Sequence, residues 1–434
     1  MSDLSTTLPL PRRLDRGDAK TLSLAALGGA LEFYDFVIFI FFTRQLGHLF
    51  FPGDMPAWVA QLQVYGIFAA GYLVRPLGGI VMAHFGDRVG RKRMFALSVF
   101  LMAVPTLAIG LLPVHAQIGV AAPLLLLLMR VIQGIAIGGE VPGAWVFVAE
   151  HAPPGRIGFA CASLTAGLTA GILIGSLVAA AINTHMTAAD VLDYGWRIPF
   201  VLGGLFGFLA VYLRRWLSET PVFVEMRERR ELVREMPLKS VLKGQMGGVV
   251  LSMLATWMLT AAIVVVILMT PTLVQDKFHI DAARAFLGNS LAAAMLTVGC
   301  ILGGLAADRY GRGRSILVGS FILMLATYAL YADLAHGGTW FLPLYALAGL
   351  CVGVVGIVPA VMVAVFPPAI RFSGISFAYN IAYAFFGAVT APLIGYLAGH
   401  VGGMAPAHYV AMTAVVGMGV GVYLLRTRRL FHER

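Results

Sequence analysis

Three short stretches place charged side chains where the surrounding chain is almost wholly apolar. In "GGALEFYDF", Glu32 and Asp35 stand three residues apart, on neighbouring parts of one helical face. "LVRPLGG" holds Arg75, and "RVIQGIAIGGEVPGAW" holds Arg130 and Glu140. A charge at the bilayer centre costs about 2.5–3.5 kcal/mol even on insertion scales, so each of these residues is a functional candidate. The chemistry on offer is proton-linked switching, because a carboxylate facing a guanidinium loses the pair when it is protonated. At about 1.5 Å per helical residue, Asp35 and Arg130 lie near the same depth, within pairing reach if their helices touch. Arg75 and Glu140 share a second, deeper level.

Polar and aromatic groups stand in for charge in the second half of the chain. "SFAYNIAYAFFG" brings Tyr379, Asn380 and Tyr383 together, with the two tyrosines four residues apart on one helical face. Trp257 sits between Thr256 and Thr260 in another apolar run. Such groups suit one wall of a substrate cavity; ordinary helix packing is the plainer use for aromatics at this spacing.

The elements that must carry these residues follow from composition. The chain is 59% hydrophobic and 12% charged, against about 25% charged in soluble proteins, and this places it in lipid. Crossing takes roughly 20 apolar residues. Spans are predicted at 22–43, 60–84, 94–112, 122–149, 158–182, 197–216, 247–274, 284–306, 315–333, 340–366, 373–398 and 407–425. The expected fold is an all-α integral membrane protein of twelve transmembrane helices in two pseudo-symmetric six-helix halves. Its divisions are an N-terminal segment (1–21), a first bundle (22–216), a linker (217–246), a second bundle (247–425) and a tail (426–434). Within the linker, alternating Glu and Arg predict a short solvated helix. Placing both termini in the cytoplasm puts 25 of the 31 Lys and Arg on that side, so the net charge of +10 reflects topology rather than nucleic-acid binding. The 3 cysteines are an odd number in apolar runs and offer no disulfide framework. The histidines show neither metal-ligand spacing nor a nucleophile–base constellation, which argues against an enzyme.

A repeat explains the densest charge. "HFGDRVGRKRMF" contains Asp87, Arg88 and Arg91, and "AADRYGRGRS" repeats them as Asp308, Arg309 and Arg312 at an offset of 221 residues. Both copies follow the second span of a half, as a duplicated six-span unit requires. Parallel repeats of this kind put a substrate site between the halves near the midplane. The two copies are expected to act as a cytoplasmic gate, with partners across the gap near the start of span 11.

Taken with "RVIQGIAIGG", these loops resemble the signatures of the major facilitator superfamily. More narrowly, "LEFYDF", "RPLGGIVMAHFGDRVGRKR", "QGIAIGGEVPGAWVFVAEHAP", "GWRIPF", "SETPVF" and "FPPAIRFSGISFAYN" resemble its metabolite:proton symporter branch. The resemblance implies that Asp35, assisted by Glu32, works against Arg130 in proton coupling. It implies a gate role for Glu150 of "VAEHAP", pairing with the loop arginines. It implies proton-driven uptake of small organic acids or zwitterions; the leading expectation is an organic acid, with Arg75 or Arg130 meeting the carboxylate and with Glu140, Trp257, Tyr379, Asn380 and Tyr383 completing the site. The alternatives are a zwitterionic osmolyte or betaine symporter, or a metabolite exporter. No cofactor beyond a proton gradient is expected. The expected partners are a small-molecule substrate, protons and lipid, for a monomer in a bacterial inner membrane.

Overall fold

The computed structural model describes residues 16–80, 91–138, 140–152, 155–213, 241, 244–367 and 370–427. Among them the chain is helical almost throughout and contains no strand. Lipid explains this, since each backbone N–H and C=O must find its partner within its own segment. The first half runs through α1 (Arg16–Phe41), α2 (Ala57–Ile80), α3 (Arg91–Leu111), α4 (Ala121–Ile137, resuming as Glu140–His151), α5 (Ile157–His185) and α6 (Arg197–Leu213). The second half runs through α7 (Met246–Phe278), α8 (Ala282–Tyr310), α9 (Arg312–Ala335), α10 (Phe341–Val365), α11 (Arg371–His400) and α12 (Ala405–Arg426). Among the described residues, nine of these are long and apolar enough to cross a membrane outright. A tenth is the bent pair that ends in α6, and α3 adds a shorter apolar stretch, Leu97–Leu111. The face at which α1 begins is called the near face below, and the opposite one the far face. The predicted linker helix, Asp87 and Arg88 lie outside the described residues.

Small residues let these helices approach to backbone contact. On α5, the stripe Gly167, Gly171 and Gly175 packs on α1; a Cβ on Gly171 would stand 2.1 Å from the Ala30 carbonyl oxygen. The duplication appears in the same device used twice. Gly134 of α4 closes on the Gly71 carbonyl of α2, where a Cβ would stand 2.1 Å away. In the second half, Gly299 of α8 closes on the Leu350 carbonyl of α10, again at 2.1 Å. The second charged motif is equally regular: α8 ends at Tyr310, Gly311 turns the chain at φ +88°, and α9 starts at Arg312.

Prolines mark the irregular turns. Wide π turns at Ala262–Met269 and Tyr383–Gly387 and a tight 3-10 turn at Gly353–Ile357 each lie ahead of a proline: Pro271, Pro392 and Pro359. Tyr383 opens the second of these π turns, so the local irregularity falls at a predicted site residue.

The halves meet chiefly through α5 against α8 and α2 against α11, and polar bonds tie them at both ends. Towards the far face, Asn289 Nδ2 and Ser290 Oγ of α8 each lie 3.1 Å from Ser176 Oγ of α5. At the near face, Asp308 accepts hydrogen bonds from the Gly158 and Phe159 amides at 2.7 and 2.8 Å.

Candidate functional site

Arg75 is 1% exposed and lies where α2 meets α11. Its guanidinium carbon is 4.3 Å from the Tyr383 ring centre, 5.4 Å from Tyr379 and 5.6 Å from Tyr72. Tyr72 comes from the first half and the other two rings from the second. Cation–π attraction to three ring faces holds the charge in place. It does not satisfy the donors: Arg75 Nε and Nη2 have no hydrogen-bond partner among the described residues. A buried guanidinium with open N–H groups is built to receive an anion, because its planar fork matches a carboxylate. Trp145 closes the cage edge-on, 4.9 Å from Tyr379.

Asn380 closes the side of the cage towards the near face. Its Nδ2 donates to the Gly138 carbonyl of α4 at 2.6 Å. Gly79 leaves the room this needs, since a Cβ there would stand 2.9 Å from the Asn380 amide nitrogen. Arg75, Tyr379, Asn380 and Tyr383 are therefore brought together, as the sequence predicts. Trp257 is committed elsewhere in the second half: it stacks flat on Phe386 at 4.4 Å and donates from Nε1 to Tyr409 Oη at 3.1 Å.

The predicted facing of Asp35 and Arg130 needs correction. Arg130 is fully buried, and its Nη1 donates to Gln133 Oε1 at 2.9 Å and its Nη2 to the Phe36 carbonyl at 3.2 Å. Phe36, Phe39 and Phe68 enclose it, with ring centres 4.0, 4.7 and 4.8 Å away. Asp35 is turned about 100° away from Phe36 around α1. Its carboxylate enters a notch on α6, where Cβ atoms on Gly203 and Gly207 would stand 2.5 and 3.2 Å from its oxygens. Neither oxygen has a hydrogen-bond partner among the described residues. The two charges approach a common residue, Thr106. Gln133 Nε2 donates to Thr106 Oγ1 at 2.7 Å, that hydroxyl donates to the Met102 carbonyl at 2.8 Å, and the Thr106 methyl and the Asp35 carboxylate lie against the same Gly203 position.

Of the remaining predicted residues, Glu32, Arg91, Glu140 and Glu150 lie on helices, but their side chains fall outside the described residues. Asp308 does bridge the halves. Its partners among the described residues are the first amides of α5, so it acts as a helix cap supplied from the other half. Arg309 is exposed beside Tyr310, and Arg312 is half-buried.

Sequence reasoning missed Tyr72, Trp145, Thr106 and Gln133. Tyr72 was within reach, since it precedes Arg75 by three residues on one helical face. Thr106 and Gln133 carry no charge and stand out only once α3 and α4 are packed together.

Comparison with known proteins follows the same lines. Residues 22–385 match the Major Facilitator Superfamily. The glycine betaine/proline/ectoine/pipecolic acid transporter OusA of Dickeya dadantii is 32% identical over 425 residues, covering 94% of this chain and 83% of that protein. The proline/betaine transporter of Escherichia coli is 32% identical over 428 residues, with the same coverage of 94% and 83%. The citrate-proton symporter of Klebsiella pneumoniae is 30% identical over 430 residues, covering 97% and 96%. The xylose transporter XylE of E. coli, in a partially occluded inward-open conformation, superposes with a TM-score of 0.75 at 17% identity over 94% of this chain and 97% of that one. Sequence and fold thus agree over nearly the whole length, and the chain belongs to the major facilitator superfamily, as a transporter and not an enzyme.

Proposed function

We propose that the protein is a proton-coupled symporter for a small zwitterion bearing one carboxylate, of the glycine betaine or proline type, working in a bacterial inner membrane with both termini cytoplasmic. The observation that carries this is the Arg75 cage. The buried cations among the described residues are Arg75 and Arg130; Arg130 leaves only its Nε without a partner and bonds through both Nη atoms inside the first half, whereas Arg75 leaves Nε and Nη2 open. That leaves one guanidinium for one carboxylate, beside tyrosine faces suited to a quaternary or secondary ammonium. A tricarboxylate would call for further cations in the cage. The sequence reading led with an organic acid; the betaine and proline transporters among its relatives support its alternative instead.

The coupled proton is assigned to Asp35, a buried carboxyl in no ion pair among the described residues. Its packing beside Thr106, which Gln133 ties to Arg130, lets its protonation bias the packing of α1, α3 and α4. Arg75 belongs to one half and Tyr379 and Tyr383 to the other, so a substrate held between them draws the halves together. Alternating access then breaks one set of end ties at a time: the Asp308–Gly158 bond for the near face, and the Ser176–Asn289 bond for the far face.

A second reading, symport of an organic acid, is favoured by the citrate-proton symporter relative, since Arg75 can also accept such a carboxylate. Proteoliposomes with an imposed pH gradient separate the two. Accumulation of labelled glycine betaine or proline, abolished by a protonophore, is expected. Saturable citrate accumulation with no uptake of either zwitterion would restore the organic-acid reading.

A further inference from the structure

A cavity of about 690 Å³ lies between the halves at the far face, away from the Arg75 cage. Its wall includes Arg44, Trp58, Gln61 and Tyr65 from the first half and Asp276 and Tyr396 from the second. Gln61 Nε2 donates to Asp276 Oδ2 at 2.9 Å, and Arg44 Nε stands 3.7 Å from Asp276 Oδ1. The Arg44 side chain is 60% exposed, which leaves its terminal N–H groups open to an anion. Trp58 and Tyr396 are also about half exposed, at 52% and 47%, and both pack on His400, which joins the two halves across the rim.

Tyr65 lies at the floor of this cavity, on the α2 face that also carries the cage. Tyr65 is 2% exposed, and its hydroxyl is buried without a partner among the described residues. Gly395 lets its ring lie across the interface, since a Cβ there would stand 2.7 Å from the ring. From Tyr65, the residues Phe68, Tyr72 and Arg75 continue down one face of α2, spaced by three, four and three. Phe68 and Tyr72 are 5.0 Å apart, and Tyr72 lies 5.3 Å from Tyr383 of the cage. At about 1.5 Å per residue, Tyr65 and Arg75 are separated by roughly 15 Å. One face of α2 thus runs from the cavity to the cage, and each end holds one guanidinium with open donors near aromatic rings.

We infer that the far-face cavity is a second, weaker binding site for a small zwitterion, filled before the cage. The inference rests on the zwitterion reading of the transported substrate. Arg44 takes the carboxylate, and Trp58, Tyr396 and Asp276 face the cationic end. Binding is weaker than in the cage because these groups are half exposed, where charge and cation–π attractions are reduced by solvent.

Equilibrium binding of labelled glycine betaine to the full chain in lipid nanodiscs tests this. Wild type should show two phases. Arg75→Met should remove the tighter phase and leave the weaker one. The double variant Arg44→Ala/Trp58→Ala changes only exposed side chains; it should remove the weaker phase and raise the transport KM about 3–10-fold at unchanged kcat. A single wild-type phase that Arg75→Met abolishes would overturn the second site while leaving the zwitterion reading standing. So would a double variant with wild-type binding and KM. No binding of glycine betaine or proline to wild type would overturn both.

Discussion

Arg75 and Arg130 are both buried guanidiniums of the first half, and the structure treats them in opposite ways. Arg130 bonds inside its own half, to Gln133 and to the Phe36 carbonyl, under three phenylalanine rings of that half. Arg130 leaves only Nε without a partner, while Arg75 leaves both Nε and Nη2 and shares its ring cage between the halves. The difference separates two tasks. A group whose contacts all lie in one half keeps them when the halves rock, so Arg130 suits an internal proton-linked network. A group caged by both halves loses half its surroundings at each swing, so Arg75 suits a substrate that must be gripped and released.

The largest expected effect lies on the proton side. Asp35→Asn should reduce the accumulation ratio to one while leaving substrate exchange and binding within about 3-fold of wild type, because only the titrating group is lost. Counterflow and gradient-driven uptake in the same proteoliposomes measure both; accumulation equal to wild type would remove Asp35 from coupling. Next come the two arginines, compared as methionine variants. Arg75→Met should weaken substrate binding about 10–100-fold, the worth of a charge-assisted hydrogen bond of about 1.5–3 kcal/mol, with little change in thermal unfolding. Arg130→Met should do the reverse. It strands Gln133 Oε1, at about 1–3 kcal/mol of stability for one unsatisfied buried group, while the Phe36 carbonyl keeps its bond within α1. Equal effects on binding and stability in both variants would erase the division of tasks. Gln133→Leu sharpens it at smaller scale: about 1–2 kcal/mol of stability lost, with wild-type affinity. The smallest effect belongs to the near-face tie. Asp308→Asn weakens the cap on α5 by about 0.5–1 kcal/mol, enough to shift the balance of open faces 2–5-fold. Cysteine accessibility from the near face should rise accordingly, and unchanged accessibility would mean that the cap does not bias the states.

The twelve helices were legible because lipid demands long apolar runs, and their predicted bounds fall within a few residues of the observed ones for spans such as 340–366 against Phe341–Val365. The duplication was legible in Asp308 and Arg312, although their contacts were not. The motif showed a charge at a helix end, whereas the amides that Asp308 caps belong to α5, 149 and 150 residues away in sequence. The Arg75 cage was half legible: Tyr379 and Tyr383 stood on one face, while Tyr72 was overlooked between larger signals. The facing of Asp35 and Arg130 was misread because depth along the helices says nothing about rotation. Gly203 and Gly207 open the notch that turns Asp35 towards α6, and nothing in their spacing alone says which helix will fill it.

The central claim is that Arg75 holds the substrate carboxylate. Glycine betaine and choline share a trimethylammonium group and differ in carrying a carboxylate or a hydroxyl, so the ratio of their dissociation constants isolates that contact. Wild type should bind glycine betaine at least about tenfold more tightly than choline, and Arg75→Met should bring the two within about threefold of each other. If Arg75→Met keeps the wild-type ratio, the carboxylate is held elsewhere and the account is contradicted.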